Sequence, residues 1–128
     1  MTLRSAKDIV TEARTGVVTI TAGEAARSIG TPGTVFVDVR EAHELDRTGT
    51  IEGALHIPRG VLKFQADPSS PSHDARLDPS KRIVLFCASG GRSTLAAKAL
   101  TDMGYSDVAS VEGGFSALAE AGAPTTRG

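Results

Sequence analysis

The 128-residue chain has a single cysteine, so it cannot form an internal disulfide, and its fold asks for no oxidising compartment. A reducing, cytoplasmic setting is the expectation. There is no long apolar run and no signal-peptide core, which argues against a membrane-spanning segment. Neither sign of charge dominates: 14 basic residues face 15 acidic ones, for a formal net charge of −1. That balance argues against nucleic acid or an acidic membrane surface as the main partner. No H-x-x-H or C-x-x-C spacing is present, so no metal site is expected. The chain shows no internal repeat. One thiol also means no second, resolving thiol, so any disulfide or persulfide chemistry at it finishes on another molecule.

What is present is ordinary globular material, 40% hydrophobic and 23% charged, in a length that suits one domain with a real core. Ser5-x-x-Asp8 is a capped helix start, and the helix is expected to end near Gly16. Val17-Val18-Thr19-Ile20 reads as a strand, and Thr21-x-x-Glu24 opens a second helix that closes at Gly30. Thr34 to Val39 is nearly all apolar, as a strand covered on both faces must be. A short helix over 41–47, a turn at 51–54 and a brief strand at 55–57 follow. Residues 60–65 suggest one amphipathic turn, and 66–81, rich in proline and serine, a mostly exposed loop. A strand at 83–86, a helix to about Met103, a strand at 108–111 and a helix at 115–120 complete the pattern. Alternation of this kind implies an α/β fold, a mostly parallel sheet flanked by helices on both faces. Polar groups at the carboxyl ends of such strands gather into sites. Three stretches fall there: Asp38-Val39-Arg40, the segment after Phe86, and Glu112-Gly113-Gly114.

The segment after Phe86 is Cys87-Ala88-Ser89-Gly90-Gly91-Arg92-Ser93, set between a buried strand and a helix. A cysteine after an apolar strand is most often inert packing. Its neighbours point elsewhere. Gly90 and Gly91 let the backbone curl so that successive amides converge, and the helix start adds positive potential. A thiol in that field loses its proton more readily, and the thiolate is the reactive form. Arg92 brings a permanent charge that holds the turn or an anionic substrate, and Ser93 caps the helix or donates to the thiolate. A solvated Gly-rich turn explains each residue separately but not their order. These residues alone leave a sulfur-handling and a phosphate-handling nucleophile both open.

Cys87-x-x-Gly90-x-Arg92-Ser93 resembles the active-site loop of the rhodanese (sulfurtransferase) family. Val37-Asp38-Val39-Arg40-Glu41 is similar to that family's D-V-R-E segment, the stretch from Gly49 to Pro58 to its G-H-I-x-G-A-x-x-I-P segment, and the stretch from Val111 to Ala117 to its E-G-G-x-x-A-W segment. Thr50 stands where the family has histidine, and Leu118 where it has tryptophan. The resemblance implies the single-domain bacterial type: a helical extension over 1–16, a rhodanese-like domain over 17–124 and a tail at 125–128. The segment between Gly60 and Lys81 is longer than in minimal members. The implied activity is a two-step, ping-pong sulfur transfer. Cys87 takes the sulfane sulfur of thiosulfate or a persulfide as a cysteine persulfide, then passes it to a thiol, cyanide or a sulfur-carrier protein. Neither metal nor organic cofactor is implied. Ala88, Ser89, Gly90, Gly91, Arg92 and Ser93 would bind the anion. Asp38 reads as a strand-end ion-pair partner or as a supporting site residue, and Arg40 and Arg59 either hold structure or attract the anionic donor. Two alternatives remain: a rhodanese-type protein-binding or sulfur-relay module with little turnover, and a phosphatase or arsenate reductase of the same fold. The last carry a loop one residue longer, C-x5-R against C-x4-R here, which disfavours them.

Overall fold

A computed structural model describes residues 2–127. The chain opens with α1 (Ala6–Arg14), capped by the Ser5 hydroxyl on the Asp8 amide, and β1 (Val18–Ile20). Helix α2 (Ala22–Ser28) starts on a reciprocal capping box between Thr21 and Glu24, the pair read from the sequence. Then come β2 (Thr34–Asp38), α3 (Ala42–Thr48), β3 (Thr50–Ile51), β4 (Leu55–His56) and α4 (Arg59–Ala66). The second half is β5 (Arg82–Phe86), α5 (Gly91–Met103), β6 (Val108–Val111), α6 (Gly114–Glu120) and β7 (Thr125–Thr126).

Five strands form one sheet in the order β1-β6-β5-β2-β4, with every neighbouring pair parallel. Central β5 buries four of its five residues and β2 three of five because helices cover both faces, which is why they read as apolar runs. On one face, Leu62 and Ala66 of α4 and Ala96, Ala97 and Leu100 of α5 pack against Val37, Ile83 and Leu85. On the other, Ala25 of α2 and Phe115 and Leu118 of α6 meet Phe36, Val84 and Phe86. The expected α/β architecture, a mostly parallel sheet between helices, is the one observed.

Three local expectations change. The amphipathic turn at 60–65 is a two-turn helix, because Leu62 and Ala66 lie one turn apart and both bury against the sheet. Residues 67–81 carry no helix or strand, yet Leu77 is fully buried and the Tyr105 hydroxyl donates to the carbonyls of Ala66 (2.8 Å) and Leu77 (3.2 Å), so the segment is anchored at both ends. Thr125 and Thr126, expected as tail, form β7 and pair antiparallel with β3. Gly49 makes that approach possible: a Cβ there would lie 2.6 Å from the Thr126 carbonyl oxygen. Helix α1 packs against α5 and buries Ala13.

Candidate active site

The carboxyl ends of β2, β5 and β6 converge, as the topology predicts. The Val39 amide donates to the Phe86 carbonyl at 3.0 Å, joining the end of β2 to the residue before Cys87. From the other side the Phe115 amide donates to the Cys87 carbonyl at 2.8 Å. Gly114, at φ +62°, sits so close that a Cβ would stand 2.3 Å from the Cys87 carbonyl oxygen. The second glycine of Glu112-Gly113-Gly114 is therefore a backbone-to-backbone contact with the cysteine loop.

Cys87 is 1% exposed, whereas Ala88 and Ser89 beside it are exposed. Its sulfur accepts from the amides of Gly90 (3.1 Å) and Ser93 (3.4 Å) and lies 3.6 Å from the Ser93 hydroxyl. Gly90, at φ +124°, turns the loop so that these amides face the sulfur at the start of α5. Burial is the largest single influence on the thiol and pushes its pKa up; the Ser93 hydroxyl and the amides of Ser93, Gly90 and Ser89 together outweigh it, and the net shift is downward. The site favours a thiolate.

The remaining loop residues divide. Gly91 opens α5 and is half-buried. Ser93 is fully buried and, besides facing Cys87, lies 2.8 Å from the Ser110 hydroxyl on β6. Arg92 leans away to Glu44 on α3, donating through both terminal nitrogens at 2.6 and 2.7 Å. That arginine holds the Glu44 carboxyl down at about 2, below the usual carboxylate range. Asp38 and Arg40 form a buried ion pair at 2.8 Å. Arg40 also donates to the Thr48 hydroxyl (2.9 Å) and the Gly49 carbonyl (2.9 Å), and its guanidinium lies 4.5 Å from the Phe115 ring centre. Asp38 accepts from the Thr50 hydroxyl at 2.7 Å. Of the two readings of Asp38 and Arg40, the geometry is that of the strand-end pair; a buried guanidinium engaged through all three nitrogens presents no free charge to a donor. Arg59 is exposed at the start of α4, with its amide on the Val39 carbonyl at 3.1 Å.

The sequence does not single out Glu44 or Ser110, and it places Gly114 at a strand end without showing its contact with the cysteine loop. Glu44 reads there as one charge on a short helix, and its partner lies 48 residues away. Ser110 carries a signal that was available: a lone hydroxyl inside an otherwise apolar strand.

The family model of the rhodanese-like domain matches residues 21–121. A solved Rhodopseudomonas palustris protein, RPA3614, described as of unknown function and a possible tyrosine phosphatase, is 38% identical with a TM-score of 0.91, over 98% of this chain and 97% of its own. The polysulfide-sulfur transferase homodimer of Wolinella succinogenes is 29% identical, with a TM-score of 0.76, over 94% of this chain and 85% of its own. The thiosulfate sulfurtransferase GlpE of Pseudomonas savastanoi is 36% identical over 92 residues, 72% of this chain and 78% of that protein. The matched stretch covers 26% of the tRNA uridine(34) hydroxylase of Erwinia tasmaniensis, to which the chain is 31% identical over 94 residues.

Proposed function

The chain belongs to the rhodanese-like domain family, and from that premise we propose that it is a sulfurtransferase whose nucleophile is Cys87. The observation that carries the reading is the sulfur's setting: two backbone amides within 3.4 Å and a hydroxyl beyond them, all aimed at an atom that becomes an anion. In the first step the Cys87 thiolate attacks the outer sulfur of thiosulfate or of a persulfide. The donor's S–S bond breaks and its electron pair leaves with sulfite or the donor thiolate. Cys87 is left as a persulfide. In the second step an acceptor thiolate, cyanide or a sulfur-carrier protein attacks the outer sulfur, and Cys87 departs as the thiolate that the loop amides stabilise. The loop from Ala88 to Ser93 is the anion cradle; Asp38 and Arg40 brace it from β2, and Arg59 stands at the exposed rim. A single thiol that must stay free fits a reducing compartment such as the cytoplasm, and no helix among the described residues is long and apolar enough to cross a membrane.

A phosphatase reading draws on RPA3614. Against it stands the four-residue spacing between Cys87 and Arg92, which makes a small ring of amides. Incubation with thiosulfate, followed by intact mass measurement before and after a cyanide or thiol chase, tests the proposal. One added sulfur that the chase removes is the expected result, absent in Cys87→Ser. Sulfur transfer by Cys87→Ser overturns it, and so does hydrolysis of an aryl phosphate with no sulfur adduct from any donor. A persulfide that forms but that neither cyanide nor a small thiol removes identifies a protein-binding or sulfur-relay module with little turnover.

A further inference from the structure

Ser110 is the odd residue of β6. All four residues of the strand are buried, the other three are apolar, and Ser110 is 1% exposed. A buried hydroxyl left unpaired costs roughly 1–3 kcal/mol, so its partner is informative. The partner is Ser93 Oγ at 2.8 Å, the hydroxyl that also faces Cys87 Sγ. Across the ladder Ser110 is in register with Thr19 of β1, so both side chains stand on one face of the sheet. Thr19 Oγ1 is the buried side-chain oxygen that has no hydrogen-bond partner among the described residues. From the edge strand to the thiol, the hydroxyls thus run Thr19, Ser110, Ser93.

Counting hydrogens gives this row a direction. The Gly90 carbonyl already accepts from the Thr94 amide (3.0 Å) and the Thr94 hydroxyl (2.7 Å), which occupy its two lone pairs; Ser93 at 3.2 Å is a third and longer contact. The one hydrogen of Ser93 therefore chooses between the Cys87 sulfur and the Ser110 oxygen. A thiolate only accepts, so Ser93 donates to it, Ser110 donates to Ser93, and Thr19, turned about χ1, donates to Ser110. A thiol donates its own hydrogen to Ser93 and Ser93 donates to Ser110; the Ser110 hydrogen reaches Thr19 Oγ1 only after the same χ1 turn, since that oxygen has no partner among the described residues as it stands. The thiol proton itself leaves to solvent; only the direction of the O–H bonds changes.

We propose that Thr19, Ser110 and Ser93 form one hydroxyl row whose O–H bonds reverse together with the protonation state of Cys87. Ser110 is the positioning residue that keeps the Ser93 hydrogen on the sulfur. Neutral hydrogen bonds in a row polarise one another, so its far members reach the sulfur without touching it. The charged and titratable groups on the elements around the thiol are Arg92, Glu44, Glu41, Asp38, Arg40, His56, Arg59 and Glu112. All are unchanged by substitution within the row. The inference rests on Cys87 being the nucleophile of the proposed transfer, but its test reads the thiol alone, so the two can fail separately.

The experiment measures the rate of Cys87 alkylation by iodoacetamide against pH, in the full chain and its variants. Ser110→Ala raises the midpoint by about half to one pH unit, cutting the thiolate fraction below the midpoint by roughly 3–10-fold. Ser110→Thr restores the wild-type midpoint, and Thr19→Val moves it the same way as Ser110→Ala by less. A wild-type midpoint in folded Ser110→Ala overturns the proposal, as does an equal shift in Ser110→Ala and Ser110→Thr, which marks packing alone. Should Ser110→Ala not fold, Thr19→Val decides on the same readout: an unmoved midpoint overturns the row.

Discussion

Arg40 and Arg92 each follow the carboxyl end of a central strand, two neighbouring strands of one sheet, and they do different work. The Arg40 side chain is 3% exposed, bonded to a carboxylate, a hydroxyl and a carbonyl, and stacked on an aromatic ring. The Arg92 side chain is 36% exposed and holds one partner, Glu44. A buried, fully engaged guanidinium is costly to disturb because its partners are left charged in a low-dielectric interior. A part-buried pair at the surface is screened by water more than a buried one and can exchange partners. Position at a strand end thus does not by itself make an arginine an anion receptor; the depth at which it sits does. Arg40 ties the strand ends together, and Arg92 keeps its charge part-exposed, which is what the proposed role in anion binding needs.

The comparison breaks most visibly at its buried member. Asp38→Ala leaves Arg40 buried without its carboxylate and is expected to cost about 3–5 kcal/mol, read as a fall of roughly 10 °C or more in thermal melting. A loss under about 1 kcal/mol would place Arg40 with the screened pairs. Arg92→Ala reverses the profile. It lowers sulfur transfer by roughly 10–100-fold and costs at most about 1 kcal/mol of stability. Full turnover in this variant would mean that the charge of Arg92 has no part in the chemistry. The smallest effect belongs to Glu44→Gln, and it depends on pH. Folding lowers the Glu44 carboxyl from its ordinary 4.5 to about 2, so its ion pair contributes stability above about 4.5 and loses it as acid protonates the folded group. The advantage of the wild type over Glu44→Gln, about 1 kcal/mol near neutrality, should shrink to nothing between pH 4.5 and 2 in urea titrations. An advantage that persists at the acid end would assign it to packing.

Much of this fold is legible in the sequence because its signals are local. Thr21 and Glu24 cap α2 within four residues of each other, and Gly90 and Gly91 announce a turn between an apolar run and a helix. The cysteine loop is local in the same sense, since its donors are its own amides and the hydroxyl six residues on. What was not legible joins distant segments. Strands β3 and β7 have two residues each and are strands only because they find one another. The sequence places Glu112-Gly113-Gly114 at a strand end, but the close contact of Gly114 comes from the cysteine loop lying against it.

The chain's own order of residues therefore decided the layered architecture and marked Cys87 as the candidate nucleophile, since periodicity, capping and loop amides act over a few residues. Tertiary structure decided the partners: which arginine is buried, that Glu44 takes Arg92, and that Ser110 reaches Ser93. The physical reason is that burial and pairing depend on how the sheet brings strand ends together, and residues 17 to 48 positions apart in sequence carry no mark of meeting there.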